Sequence, residues 1–154
     1  MAIVLKSELK RQTYGACAQY SIRHALLLVG IKPSMREIFK ATRKSQLGVT
    51  INGTDEKRIK NALMSFGCIA KEYKLHSFGL ARMILNGLLM HHIPVILSVE
   101  ADEHWVVIAG HRGKKYVWID SADKKLTGAW LWSELVEWID NDEIYFIGVS
   151  NIKQ

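Results

Sequence analysis

Gln12-Thr13-Tyr14-Gly15-Ala16-Cys17-Ala18 is the stretch that decides the fold. An extended segment turns there into an apolar helix, with Cys17 at the turn. Far downstream, His104 opens the strand-like run His104-Trp105-Val106-Val107-Ile108-Ala109-Gly110, and Asp120 ends the next one, Tyr116-Val117-Trp118-Ile119-Asp120. A thiolate is the attacking form of cysteine, and a helix N-terminus and a nearby imidazolium both stabilise it. The imidazole in turn needs a third group to hold one tautomer, which Asp120 can supply. Cys, His and Asp in this order therefore point to a nucleophilic thiol.

Working outward, the periodicity predicts a first helix over Gly15 to Val29, since Ala18, Ile22, Ala25, Leu26 and Val29 recur at three- and four-residue steps. Gly30 is its expected stop. Ser34-Met35-Arg36-Glu37 is a capping-box pattern for a second helix. Lys44 to Gly53 reads as a loop. Thr54 is the expected cap of a third helix, with Asp55 and Glu56 in its first turn and Gly67 at its end. Cys68 to Leu75 reads as a strand, and Ser77 opens a helix running to about Met90.

From Pro94 the texture turns β-branched. Pro94-Val95-Ile96-Leu97-Ser98-Val99 reads as a strand buried on both faces. His104 to Gly110 and Tyr116 to Asp120 pair across a turn at His111 to Lys115. A short helix over Trp132 to Ile139 and a strand over Ile144 to Val149 finish the chain. Helices first and an antiparallel sheet second make an α+β pattern, with the N-terminal helices packed on the C-terminal sheet. No repeat, linker or low-complexity segment divides residues 1–154, so a single domain is expected.

Gln12, Cys17, His104-Trp105-Val106-Val107 and Asp120 resemble the papain-like superfamily, and within it the C39 and C39-like peptidases. The likeness runs from Gln12 to Asp120. It implies a papain-like fold and a cysteine peptidase acting on a peptide or protein substrate. Cys17 would be the nucleophile, His104 the base and Asp120 its orienting partner. Gln12 would join the Cys17 backbone N–H in an oxyanion hole. The chain departs from the family at Ala16-Cys17-Ala18, where Asp-Cys-Gly is frequent, and at Ser121, where Pro is frequent after the Asp. These departures leave the substrate open. The same triad serves acyl transfer or glutamine deamidation in toxins and effectors, and some C39-like domains only bind peptide.

Composition fits this reading. Of the 154 residues, 49% are hydrophobic, enough for a core without disulfides or metals. Two cysteines, Cys17 and Cys68, make no disulfide scaffold, and Cys68 reads as core. Met1-Ala2-Ile3-Val4-Leu5-Lys6 lacks a charged n-region and long apolar run, so no signal peptide is expected, and no apolar run approaches a membrane span. A reducing, cytoplasmic setting is expected. Residues 1–60 hold 12 Lys/Arg against 4 Asp/Glu, and residues 61–154 hold 9 against 11. The bases are scattered without aromatic interleaving, so solvated helix faces are expected rather than a nucleic-acid surface. His76, His91, His92 and His111 have no zinc spacing, and no metal or organic cofactor is expected. Trp105 could cover the His–Asp pair or pack the core. Trp130, Trp132 and Trp138 could be core or a groove rim.

Overall fold

A computed structural model describes residues 8–152, apart from the side chains of residues 51 and 52; the stretch Met1 to Lys6 lies outside them. Helix α1 spans Cys17–Leu28, α2 Met35–Ala41, α3 Gln46–Asn52 and α4 Glu56–Ser65. Strand β1 (Cys68–Leu75) and helix α5 (Phe78–Met90) follow, then β2 (Val95–Val99), β3 (His104–Arg112), β4 (Lys115–Ile119) and β5 (Thr127–Trp130). Helix α6 (Trp132–Ile139) and strand β6 (Ile144–Asn151) end the chain. The strands form one antiparallel sheet of six in the order β1-β6-β2-β3-β4-β5.

The sheet has a core on each face. Ile96, Val107, Ile119, Ile147 and Val149 meet Ile22, Leu26, Ile38, Ile59 and Leu63 of α1, α2 and α4. Their alternate neighbours Val95, Leu97, Val106, Ile108 and Phe146 meet Leu85, Leu89, Leu135 and Ile139 of α5 and α6. The α+β expectation holds, and α5 and α6 add a second covered face. Two-faced cover is why all five β2 residues are buried and why the strand reads as a continuous apolar run.

Helix α1 is buried nearly all round, Gln19, Ser21 and His24 included. Its end is a Schellman motif: Gly30 takes φ 85°, and the N–H groups of Gly30 and Ile31 donate to Leu27 O and Leu26 O. Ser34 and Glu37 cap α2 reciprocally. Asp55, not Thr54, caps α4, accepting from Arg58 N at 2.9 Å. Thr54 is otherwise engaged, since its hydroxyl accepts from the buried Gln19 Nε2 at 2.7 Å.

Three elements differ from the sequence reading. Residues 44–53 contain α3 rather than a loop, capped by Ser45, whose hydroxyl accepts from Gly48 N. A seven-residue helix is marginal alone. Val49 anchors it by burying against Ala16 and Tyr20. The β3–β4 turn is also tighter than expected. The strands pair out to Arg112 and Lys115, and Gly113 supplies the positive φ of a two-residue connection. Strand β5 pairs with β4 along the sheet edge.

Candidate active site

Cys17 is the first residue of α1, where unpaired helix N–H groups favour negative charge. The loop before it is held from the side by α3. Gln46 Nε2 donates to Tyr14 O at 2.8 Å, the Thr50 hydroxyl reaches the same oxygen at 3.4 Å, and the Thr13 hydroxyl donates to Gln46 Oε1. Gly15 takes φ +76°, and a Cβ there would lie 2.5 Å from Val49 O. The residue two before Cys17 must therefore be glycine, for conformation and for space. Gln46 and Thr50 were not singled out by the sequence reading, because short polar side chains in an unperiodic stretch carry no signal of tertiary contact.

His104 is the first residue of β3 and Asp120 follows the last of β4. The two strands are adjacent, so their ends bring the pair together. His104 Nε2 lies 2.7 Å from Asp120 Oδ1, and both residues are buried. Asp120 Oδ1 also accepts from Ala122 N at 2.9 Å, which fixes the carboxylate. With Nε2 committed, Nδ1 is the ring nitrogen left for Cys17. Burial alone would lower the His104 pKa. Hydrogen bonds to Asp120 and Cys17, and attraction to both charges, outweigh it and raise the value to about 10. The imidazolium is the form this site favours.

Helix and strand are tied where it matters. The Ser21 hydroxyl of α1 donates to Trp105 O at 3.0 Å, locking the helix of Cys17 to the residue beside His104. Trp105 is itself buried and packs edge-on against Tyr145, with centroids 5.8 Å apart. It belongs to the core and also forms one wall of the cleft.

That cleft, of about 690 Å³, brings together Gln12, Cys17, Glu103, His104 and Trp105. Cys17 is partly exposed to it. Gln12 is placed by Ser121: Gln12 N donates to Ser121 O at 2.9 Å, and the Ser121 hydroxyl donates to Gln12 Oε1 at 2.8 Å. Gln12, Cys17 and His104 thus border one cleft, and Asp120 stands outside its lining, joined to it through His104. The turn at 100–103 is exposed to solvent but anchored by hydrogen bonds. Glu100, Ala101 and Asp102 all have positive φ. The Ser98 hydroxyl donates to Asp102 Oδ1 at 2.8 Å and the Asn141 amide donates to Oδ2. Glu100 N and Ala101 N donate to the carbonyls ending α6. The T-shaped cluster of Trp118, Trp130 and Trp138 stands behind this turn as packing, with Trp130 and Trp138 also bordering a shallow surface recess.

Cys68 is buried, and burial pushes its thiol up, as suits a core position. Among the described residues, no three His, Cys, Asp or Glu side chains converge as a metal site. No described helix is long and apolar enough to cross a membrane.

The chain is similar in structure to several solved peptidase domains. Against the peptidase domain of Streptococcus ComA, a bi-functional ABC transporter involved in a quorum sensing pathway, the TM-score is 0.69 at 14% identity, over 93% of this chain and 97% of that one. Against a double glycine motif protease from an AMS/PCAT transporter, solved in complex with the leader peptide, it is 0.66 at 16% identity, over 96% and 91%. The N-terminal peptidase C39 like domain of a toxin secretion ATP-binding protein from Vibrio parahaemolyticus gives 0.61 at 12%, over 88% and 97%. No protein-family model and no curated protein matches the chain. At these identities the likeness shows the fold, which is that of C39 peptidase domains.

Proposed function

We propose that the chain is a cysteine peptidase, acting as a single C39-like domain through Cys17, His104 and Asp120. The observation that carries this is the buried 2.7 Å contact of His104 Nε2 with Asp120 Oδ1, which leaves Nδ1 for a cysteine at a helix N-terminus. Asp120 orients the ring and stabilises its charge. The Cys17 thiolate attacks the carbonyl carbon of a peptide bond. The oxyanion is received by the Cys17 backbone N–H and Gln12 Nε2. His104 gives its proton to the departing amine as the C–N bond breaks, leaving a thioester. It then takes a proton from water as the water oxygen attacks the thioester, freeing the acid and restoring the Cys17 thiolate beside the protonated His104.

The substrate is a peptide laid along the cleft. A neighbour solved with a leader peptide supports a leader as the segment removed. A free thiol nucleophile works in a reducing setting, so the cytoplasm is the proposed site of action.

The test is product mass on peptide libraries that include double-glycine junctions. Two fragments, lost in Cys17→Ala with an unchanged circular dichroism spectrum, are expected. Products about one dalton heavier than an intact substrate would replace this reading with deamidation. Unchanged turnover in Cys17→Ala would remove Cys17 from the chemistry.

A further inference from the structure

We infer that Ser121 is a positioning residue for the oxyanion donor, fixing which end of the Gln12 amide faces Cys17. This deepens the peptidase reading above and rests on it. A glutamine side chain ends in an acceptor and a donor of nearly equal shape. Only the NH₂ end stabilises an oxyanion. The carbonyl end, turned to the same place, repels it.

Ser121 removes that ambiguity. Its hydroxyl, 1% exposed, donates to Gln12 Oε1 at 2.8 Å, so Nε2 is the end left for the cleft. After a flip the hydroxyl could accept from the NH₂, but its buried O–H would lose the acceptor it has in Gln12 Oε1, which is costly away from water. The backbone of the same residue accepts from Gln12 N at 2.9 Å, so Gln12 is held at both ends. Asp120, the preceding residue, holds His104. The segment from Asp120 to Ala122, just beyond β4, thereby sets the base and the oxyanion donor together, although Gln12 lies 109 residues away in sequence.

The role separates two reactions of the same thiol. Alkylation by iodoacetamide displaces iodide and forms no oxyanion. Acylation by p-nitrophenyl acetate passes through a tetrahedral oxyanion. Ser121→Ala is expected to leave alkylation and its pH profile in place and to slow the acylation burst roughly tenfold, less than outright loss of a donor. Ser121→Thr, which keeps the hydroxyl, restores the burst. In a Gln12→Ala background Ser121→Ala adds nothing, because both act through one group. A wild-type burst in Ser121→Ala, or a full effect persisting without Gln12, overturns the inference.

The amide orientation is also read directly in the wild-type protein, whether or not Ser121→Ala folds. Nuclear Overhauser contacts from the Gln12 side-chain NH₂ to Cys17 protons are expected. Contacts to the Ser121 β-protons instead would overturn the assignment. A wild-type protein with neither fast alkylation nor a burst refutes the peptidase reading, and the contact pattern then decides the role of Ser121 separately.

Discussion

His104 Nε2 and Asp120 Oδ1 lie 2.7 Å apart at the ends of neighbouring strands, both shielded from solvent. Asp120→Asn removes the charge and keeps the shape. Burial then acts on His104 with less to oppose it. Its pKa is expected to fall from about 10 by several units, read from the imidazole proton shifts in an NMR titration. Peptidase turnover should drop by up to about 10⁴, the loss a triad suffers when its orienting carboxylate becomes an amide.

The same pair makes stability depend on alkaline pH. A histidine raised above its ordinary 6.5 stabilises the fold fully below that value and loses the contribution as pH rises through about 10. Wild type should lose melting temperature between pH 7 and 10.5 by more than Asp120→Asn does. Parallel losses in both proteins would deny the pair this role.

His24 acts at the other end of the scale. Burial first, and the charge of Arg23 second, lower its pKa to about 4. Its Nε2 accepts from Lys10 N at 3.1 Å, while Nδ1 is buried with no hydrogen-bond partner among the described residues. The unfolded chain takes up a proton near pH 6.5 that the folded chain refuses until about pH 4. Stability should therefore fall across that window, by up to about 3 kcal/mol. Urea unfolding at pH 7 and pH 4.5 should show a smaller drop in His24→Gln, which keeps an acceptor for Lys10 and cannot titrate.

Gly15→Ala should disturb the loop that leads into Cys17. The left-handed backbone alone costs about 1–3 kcal/mol for a residue with a Cβ. The added carbon would also meet Val49 O at 2.5 Å, so α3 must move. Lower urea stability with a steep loss of Cys17 reactivity is expected. A fully active, equally stable Gly15→Ala would show that α3 does not hold this loop.

What was legible in the sequence follows from where the information lies. Helix α1 and β2 announce themselves by periodicity and by an unbroken apolar run. The capping box at Ser34 and the glycine stop at Gly30 are local chemistry. Cys17, His104 and Asp120 could be picked out because each sits at the boundary of a readable element. Helix α3 was not readable, since its support is Val49 packing on Ala16 and Tyr20. Strand β5 went unseen because Thr127-Gly128-Ala129-Trp130 neither alternates nor is fully buried, and pairing with β4 alone defines it. Gly128 fits there because the Trp118 ring occupies the place of a Cβ, 2.3 Å away. The tie from Ser121 to Gln12 joins residues 109 apart and leaves no local trace.

The most direct measurement is the rate of iodoacetamide alkylation at Cys17 against pH, with His104→Ala alongside. A thiolate–imidazolium pair gives fast labelling that persists down to about pH 5 and is lost in the mutant. Slow labelling that rises only above about pH 8, alike in both proteins, would contradict it and leave a peptide-binding domain without a working nucleophile.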